Sequence, residues 1–334
     1  MQADWQNESF SVVAALGGFN LPRMKTHLIL AVVIVLAVVA GVFLVRGGKS
    51  SGAFGRDAHA QTAAILEFGP RPPGSDALDA VRGHVRAELE KAGWVTTGQE
   101  FEQRTPIGRV RFENVRARFP SGGDGGDVWT KPVDGLLTAH IDSKYYENMH
   151  FLGADDAASA CAAIVVIARH LARRNPELAG RLELVFFDGE EAFEENITPQ
   201  DGLYGSRHYA AHWRGRDDMP RFGVLLDMIG HRDLRIALPS DTHPPLKDAV
   251  FAAAEAERVE RHFGMAAGPI IDDHVPLNLV GIPTVNIIGD FTRFRWWHTP
   301  NDNLDLISPE SLDISIRVTL RLIRDLAAHE GPLM

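Results

Sequence analysis

The chain has 334 residues, 45% hydrophobic and 23% charged, so it can bury one large α/β core or two smaller ones. The formal net charge is −10 and no run of lysine and arginine forms a stripe, which argues against nucleic acid as a partner. The single cysteine, Cys161, excludes an intrachain disulfide and a zinc site built from thiolates. Any metal must therefore be held by carboxylates and imidazoles.

The N-terminal region predicts a membrane segment. Residues 26–45 carry no formal charge and match the length that crosses a bilayer, so we expect a transmembrane anchor there. Arg23 and Lys25 precede it, which places residues 1–25 in the cytoplasm as a tail and the rest of the chain outside, in a periplasmic or extracellular space. A cleaved signal segment, which would leave a secreted protein, and a start at Met24 remain open alternatives.

The remaining sequence predicts a linker and one domain. Residues 46–60 are small, polar and rich in glycine, which is typical of a linker, and residues 61–334 show no internal boundary. Predicted helices cover 75–93, 158–174, a stretch after Gly205, 244–259 and a stretch from Pro309. Predicted strands cover 95–103, 108–119, 134–142, 182–188, 223–230 and 282–289. This alternation predicts an α/β fold with a central, mostly parallel twisted sheet flanked by helices on both faces.

Acidic and imidazole side chains lie at the ends of these strands, at the entry of a helix and in the segments that follow. They are His140, Asp155 and Asp156, Asp188, Glu190 and Glu191, Asp227, Asp272, and His298. Taken singly, Asp155 or Asp156 is more typical of a helix cap, Asp227 of a hydrogen-bonded core residue and His298 of a surface loop. Ligands bind at the carboxyl ends of strands in such sheets, and so many acidic groups would repel one another unless they shared a cation or proton. The sequence therefore predicts a metal site.

Oxygen and nitrogen donors without a thiolate suit Zn²⁺ with three protein ligands and one open position. Glu190 and Glu191 are adjacent on a chain that leaves a strand, so their side chains cannot both point the same way. One of them is expected to bind the metal, and the other to face the substrate as a general acid and base.

Several motifs together resemble one enzyme family. They are HIDSK (140–144), GADDAASAC (153–161), FFDGEEAF (186–193), PQDGLYGSRH (199–208), LLDMIG (225–230), DDHVP (272–276) and WHTPNDNLD (297–305). In this order they resemble the glutaminyl-peptide cyclotransferases, relatives of the dinuclear zinc aminopeptidases, over about residues 61–330. The resemblance implies a zinc-aminopeptidase-like catalytic domain, monomeric, that acts as an acyltransferase. Its expected substrates are peptides and proteins with an N-terminal glutamine, which is converted to pyroglutamate with release of ammonia.

The resemblance also implies a metal site with one Zn²⁺. Asp156, Glu191 and His298 are the implied ligands. His140 and Asp227 stand where the aminopeptidases place second-metal ligands, so the residue types leave a second zinc open.

Catalytic and substrate-binding roles follow from the same resemblance. Glu190 is the implied general base and acid, and Asp227 is the group that bonds the scissile amide. Asp272 is a carboxylate that hydrogen-bonds this catalytic pair, Glu190 and Asp227. Trp297 and Ile270 are expected to line the glutamine pocket. Like-charge coupling to the two aspartates is expected to raise the pKa of Glu190.

Three positions depart from the family pattern. Asn196 and Ile197 occupy the place of a tryptophan that follows the Glu-Glu pair in animal cyclases, and Asn286 stands in place of a histidine. Cys161 matches half of a disulfide whose partner position is Ala139 here, so Cys161 is expected to be a buried apolar residue.

Two other functions remain open from the sequence. A dinuclear zinc aminopeptidase that releases N-terminal residues has the same ligand types. A membrane-anchored binding domain without catalysis has the same fold, although intact candidate ligands argue against it. The aromatic stretch 291–298 is interpreted as a pocket wall because it adjoins His298, with a membrane-interface belt as the alternative.

Overall fold

The computed structural model describes residues 52–120, 127–293 and 295–333. The predicted tail, the predicted span at 26–45 and the first part of the predicted linker lie outside these residues. Within them, no helix is both long enough and apolar enough to cross a membrane.

A six-stranded sheet organises the domain. The strands of the described residues are β1 (Val95–Thr105), β2 (Gly108–Arg118), β3 (Gly135–His140), β4 (Leu182–Phe187), β5 (Phe222–Asp227), β6 (Ile236–Leu238), β7 (Phe263–Met265) and β8 (Thr284–Ile288). The strand order in the sheet is β1-β2-β4-β3-β5-β8. β4, β3, β5 and β8 pair in parallel, whereas β1 and β2 form a hairpin that joins β4 antiparallel. The sheet is therefore mixed, because the two-residue turn between β1 and β2 permits only antiparallel pairing. β6 and β7 form a separate parallel pair.

Helices cover both faces of the sheet. They are α1 (Ala53–Leu66), α2 (Asp76–Lys91), α3 (Ala160–Arg174), α4 (Pro176–Ala179), α5 (Tyr204–Trp213), α6 (Pro244–Ala256), α7 (His274–Val280) and α8 (Pro309–Ala328). Leu137 of β3 belongs to the core cluster that includes α3 and α8, while Leu136 belongs to the cluster that includes α5 and α7. Every residue of β3, β4, β5 and β8 is buried, which explains their continuous apolar sequences.

Helix α1 corrects the predicted linker. It begins at Ala53, so residues 53–60 belong to the folded unit, and Ala58 is fully buried. A Cβ atom at Gly55 would lie 1.8 Å from the carbonyl oxygen of Pro309 at the start of α8. The small residues that are typical of a linker are present here because α1 and α8 approach closely.

Candidate metal centre and active site

The ends of three parallel strands bring the predicted site residues together. His140 is the last residue of β3, Asp227 is the last residue of β5, and Glu190 and Glu191 follow β4. Since the strands are parallel, these ends share one edge of the sheet, as the sequence predicts.

One group of donors at this edge is Asp156, Glu191 and His298. His298 Nε2 lies 3.2 Å from Glu191 Oε1 and 3.5 Å from Asp156 Oδ2. Tetrahedral zinc with bonds of about 2.0–2.2 Å places its ligand atoms about 3.3–3.6 Å apart. The donor types and their separations therefore fit a zinc ion.

A second group shares Asp156. His140 Nε2 lies 3.1 Å from Asp156 Oδ1 and 3.4 Å from Asp227 Oδ1. All three side chains are buried. Asp156 thus stands between two sets of donors, and we call the five residues of both sets the metal edge.

The glycine of the DGEE motif turns the chain into the metal edge. Gly189 has a φ of +71°, and a Cβ atom there would lie 2.4 Å from the ring of Phe112. Only glycine adopts this conformation at so close an approach. Asp188, just before it, points elsewhere: it pairs with Arg82 and accepts a bond of 2.7 Å from the backbone N–H of Glu113.

Two buried aspartates hold the backbone of the candidate metal ligands Asp156 and Glu191. The carboxylate of Asp142 accepts the N–H groups of Glu190 and Glu191 at 3.2 and 3.3 Å. The carboxylate of Asp302 accepts those of Asp155 and Asp156 at 2.7 and 3.2 Å. Each carboxylate fixes two consecutive residues, which positions the side chains they carry.

Asp155 and Asp156 have different roles in the site. Asp155 Oδ1 accepts bonds from the N–H of Gly230 at 2.7 Å and from Ser159 Oγ at 2.8 Å. Asp155 therefore ties the site to the segment at Gly230, whereas the carboxylate of Asp156 contributes a donor atom to each group of the metal edge.

Two buried cations were not singled out from the sequence. Arg71 donates to the carbonyl oxygens of Ile141, Leu152 and Gly153, which lie on the segment between β3 and Asp156. Lys144 belongs to the HIDSK motif, yet no strand-end rule predicts its contacts. Both cations offset negative charge near the metal edge. Arg71 interacts electrostatically with Asp142, Asp156 and Asp302, and Lys144 with Glu191.

Lys144 supports the segment after the Glu-Glu pair. Its Nζ donates to the carbonyl oxygens of Ala192 and Glu194 at 2.8 and 2.9 Å, and it lies 3.6 Å from Glu191 Oε2. The cation thus orders the chain that leaves the metal edge.

The carboxylates of the metal edge favour a positive charge among them. Burial opposes the ionisation of Asp156, but hydrogen bonds from His140 and His298 hold its pKa well below its usual range. Burial also opposes the charge on His298, but Glu191 and Asp156 raise the pKa of its imidazole to about 9. A divalent cation supplies the same positive charge.

Glu190 is electrostatically distinct from Glu191. Burial raises the pKa of Glu190 well above its ordinary value, and the carboxylates of Asp272 and Glu191 raise it further against an opposing effect of His140. Burial, rather than like-charge coupling, is therefore the first cause of the shift. Such a carboxyl group can hold a proton near neutral pH and release it.

Eight of the nine predicted site residues line one cavity of about 660 Å³. They are Asp156, Glu190, Glu191, Asp227, Ile270, Asp272, Trp297 and His298. His140 lies beneath them in the second donor group. Five described residues of the aromatic stretch, Phe291, Thr292, Arg293, Trp297 and His298, line the cavity. The ring of Trp297 stacks on that of His298, with centroids 4.0 Å apart. Apart from His298, the lining residues that are at least partly exposed are 195–197, 265–271, 290–293 and Trp297, and we call them the cavity mouth.

The departures from the family pattern also lie at this cavity. Asn196 and Ile197 form part of its wall, where animal cyclases carry the tryptophan. Asn286 is buried, and its Nδ2 donates to Asp272 Oδ2 at 2.6 Å, so a neutral donor replaces the expected histidine. Cys161 is buried and unpaired by a disulfide, as expected.

The sheet edge with its two donor groups fits a metal-dependent α/β enzyme. Comparisons with known proteins identify the family. The sequence profile of peptidase family M28 matches residues 122–323. A glutaminyl-peptide cyclotransferase from Bos taurus is 32% identical over 73% of this chain and 74% of its own length. The chain therefore belongs to peptidase family M28 and, within it, to the glutaminyl-peptide cyclotransferases.

Solved structures give the same relationship. A glutaminyl cyclase from an Acidobacteriales bacterium has a TM-score of 0.71 and 26% identity, covering 84% of this chain and 97% of that one. A Zn-dependent exopeptidase from Parabacteroides distasonis has a TM-score of 0.70 and 26% identity, covering 80% and 97%. The fold is thus shared by a cyclase and an exopeptidase.

Proposed function

We propose that this site converts the N-terminal glutamine of peptides and proteins to pyroglutamate and releases ammonia. One observation carries the proposal: the donor group of buried Asp156 and Glu191 with half-buried His298 lines a cavity beside Glu190, in a chain similar to named cyclotransferases. The reaction is an acyl transfer within the substrate, so the site has to bring two groups of one residue together rather than activate water.

Asp156, Glu191 and His298 would hold one Zn²⁺. When bound, this ion supplies a Lewis acid for the γ-carbonyl oxygen of the substrate glutamine. Asp142 and Asp302 keep the two carboxylate ligands in place through their backbone N–H groups.

Glu190 would move the proton. The α-amine nitrogen of glutamine bonds to its own γ-carbon, the bond from that carbon to the amide nitrogen breaks, and ammonia leaves. Glu190 accepts the proton that the attacking nitrogen loses and donates it to the leaving nitrogen. Its raised pKa suits both transfers, because the group has to hold and release a proton in the same cycle.

The remaining site residues would position the substrate. Asp227 would accept a hydrogen bond from the scissile amide, and Asp272, held by Asn286, would hydrogen-bond the catalytic pair. Trp297 and Ile270 would pack against the glutamine side chain, since both line the cavity.

The test is a cyclisation assay on a peptide that begins with glutamine, with and without a chelator. We expect pyroglutamate and ammonia in stoichiometric amounts, loss of turnover with the chelator and recovery with added zinc. Removal of the intact N-terminal residue as a free amino acid would contradict the proposal.

The second donor group favours one competing function, a dinuclear aminopeptidase. His140, Asp156 and Asp227 are arranged as a further metal site would require. Metal analysis of the purified protein, with rates on Gln-naphthylamide and Leu-naphthylamide, separates the two functions. Two zinc ions per chain and release of free leucine would support the aminopeptidase.

The proposal extends to location and assembly. The uncharged residues 26–45 support a membrane anchor with an extracytoplasmic, monomeric catalytic domain, or a secreted domain if the segment is cleaved. Fractionation of cells that express the full chain and a chain starting at residue 52 tests the anchor. We expect only the full chain in the membrane fraction, and sizing chromatography of the shorter chain at the mass of one copy.

A further inference from the structure

The imidazole of His298 lacks the hydrogen bond that usually orients a metal-binding histidine. Its Nε2 lies 3.2 Å from Glu191 Oε1 and 3.5 Å from Asp156 Oδ2, where a ligand of the proposed zinc has to stand. A ligating histidine usually donates its other ring N–H to a carboxylate or a carbonyl oxygen. Among the described residues, the hydrogen bond of the His298 ring involves Nε2, and Nδ1 has no partner. Another contact therefore has to fix the plane of this ring.

The backbone of His298 also indicates that its surroundings determine its orientation. Its φ is +54°, in the left-handed region that residues with a side chain rarely adopt. A residue other than glycine keeps such a conformation where neighbouring contacts hold it there.

Two aromatic rings from the segment between β3 and Asp156 meet the imidazole edge-on. The ring centroid of Phe151 lies 5.9 Å from that of His298, with the planes at 83°. The ring centroid of Tyr146 lies 6.4 Å from it, with the planes at 78°. The two rings also contact each other, with centroids 5.7 Å apart. Edge-to-face contacts at these distances are favourable and depend on ring orientation, so they can fix the imidazole plane.

We infer that Tyr146 and Phe151, which we call the aromatic clamp, orient the imidazole of His298 for metal binding in place of a hydrogen bond to Nδ1. The inference rests on the zinc site of the proposed function, and it adds two positioning residues that no local pattern in the sequence indicates. Asp142 and Asp302 hold the backbone of the two carboxylate ligands, and the clamp gives the third ligand its own support.

The clamp is separate from the substrate cavity and from the hydrophobic core. Neither ring lines the cavity, whereas Trp297, which stacks on the other side of the argument as a cavity residue, does. Phe151 is 1% exposed, yet neither it nor Tyr146 belongs to the hydrophobic clusters of the described residues. Packing of the core therefore does not account for these two rings.

The segment that carries the clamp is fixed at both ends. The buried guanidinium of Arg71 donates to the carbonyl oxygen of Ile141 at 3.0 Å and to that of Gly153 at 2.9 Å. These two carbonyls bracket Tyr146 and Phe151. The rings are thus held before a metal binds, which lowers the ordering cost of binding.

The test compares Tyr146→Leu with Tyr146→Phe, which keeps the ring, by competition for zinc with a chromogenic chelator. Tyr146 is half-buried, so both variants are expected to fold, and circular dichroism checks this. We expect zinc affinity to fall by roughly three- to tenfold in Tyr146→Leu and to stay within about twofold in Tyr146→Phe. Unchanged affinity in Tyr146→Leu, or an equal loss in both variants, would overturn the inference.

Tyr145→Leu is the matched control. Tyr145 is half-buried and adjacent, but its ring contacts Phe193, with centroids 5.9 Å apart. We expect unchanged zinc affinity. A loss as large as in Tyr146→Leu would overturn the inference, because it would show a general effect of loosening the segment.

A double-mutant cycle with His298→Ala shows whether the ring acts through the imidazole. In that background we expect Tyr146→Leu to cause no further loss of the remaining zinc affinity, and the same fold-loss in both backgrounds would overturn the clamp. The measurement needs no substrate. Zinc binding without cyclisation would therefore contradict the proposed function alone, whereas a chain that binds no zinc would overturn both.

Discussion

The metal edge and the cavity mouth differ in how the fold holds them. At the metal edge, His140 and Asp227 end fully buried strands. The carboxylates of Asp142 and Asp302 fix the backbone of the two acidic pairs, Glu190-Glu191 and Asp155-Asp156. At the mouth, the lining residues come from short elements and the segments between them, and large apolar side chains such as Ile271 remain exposed. Chemistry requires fixed donor positions, whereas the mouth has to accept different peptides. The difference teaches that buried backbone contacts fix the donor groups, whereas the apolar residues of the mouth stay partly exposed.

The strongest test of the metal edge is Glu191→Ala. The change removes one of three donors and leaves Asp156 and His298 without their partner, so we expect loss of both zinc and turnover. Metal analysis after dialysis and the cyclisation assay measure the two effects. Retention of stoichiometric zinc would contradict the assignment of Glu191 as a ligand.

Glu190→Gln tests whether Glu190 transfers the proton without binding the metal. The variant keeps the shape of the side chain but cannot exchange a proton, so we expect kcat to fall by about 10²–10⁴-fold with zinc retained. Near-normal kcat in this variant would refute the acid and base role. The circular dichroism spectrum controls for folding.

Asp302→Asn tests the support of the metal edge. The amide offers one acceptor oxygen where the carboxylate offers two, so one of the N–H groups of Asp155 and Asp156 loses its partner. We expect zinc affinity to fall by about 10–100-fold, measured by competition with a chromogenic chelator. Unchanged affinity would mean that the backbone is fixed by other contacts.

Asp201→Asn is the matched change at the cavity mouth. Asp201 accepts the N–H groups of Phe193 and Glu194 at 3.0 and 2.9 Å, just before the wall at Asn196 and Ile197. We expect unchanged zinc affinity and a rise in KM for peptides of less than about tenfold. A loss of zinc as large as in Asp302→Asn would show that the mouth and the metal edge are not separate.

Sequence patterns predicted the parts of the site that depend on the residues next to one another in the chain. Apolar strands that run into His140, Asp227 and the Glu-Glu pair indicate the active edge, because parallel strands present their carboxyl ends together. Similar motifs in the same order predicted the family. The sheet was expected to be mostly parallel, and the β1–β2 hairpin at one edge makes it mixed.

Long-range contacts decided what the sequence left open. Asp155 and Asp156 are neighbours with the same side chain, and only the approach of Gly230 and of His298 from distant segments assigns them different roles. Asp302 lies 147 residues from Asp155, whose backbone it holds, so no local pattern reveals the pairing.

By itself, therefore, the sequence determined the fold class, because this depends on the order of strands and helices. Its motifs determined the family, and the family resemblance in turn implied the nine candidate site residues. Only the tertiary structure decided that residues 53–60 fold as a helix against α8, that Asp188 pairs with Arg82, and that Met265 and Ile271 join one mouth. Each of these outcomes depends on contacts between segments that are far apart in the sequence, and a local sequence pattern does not predict such contacts.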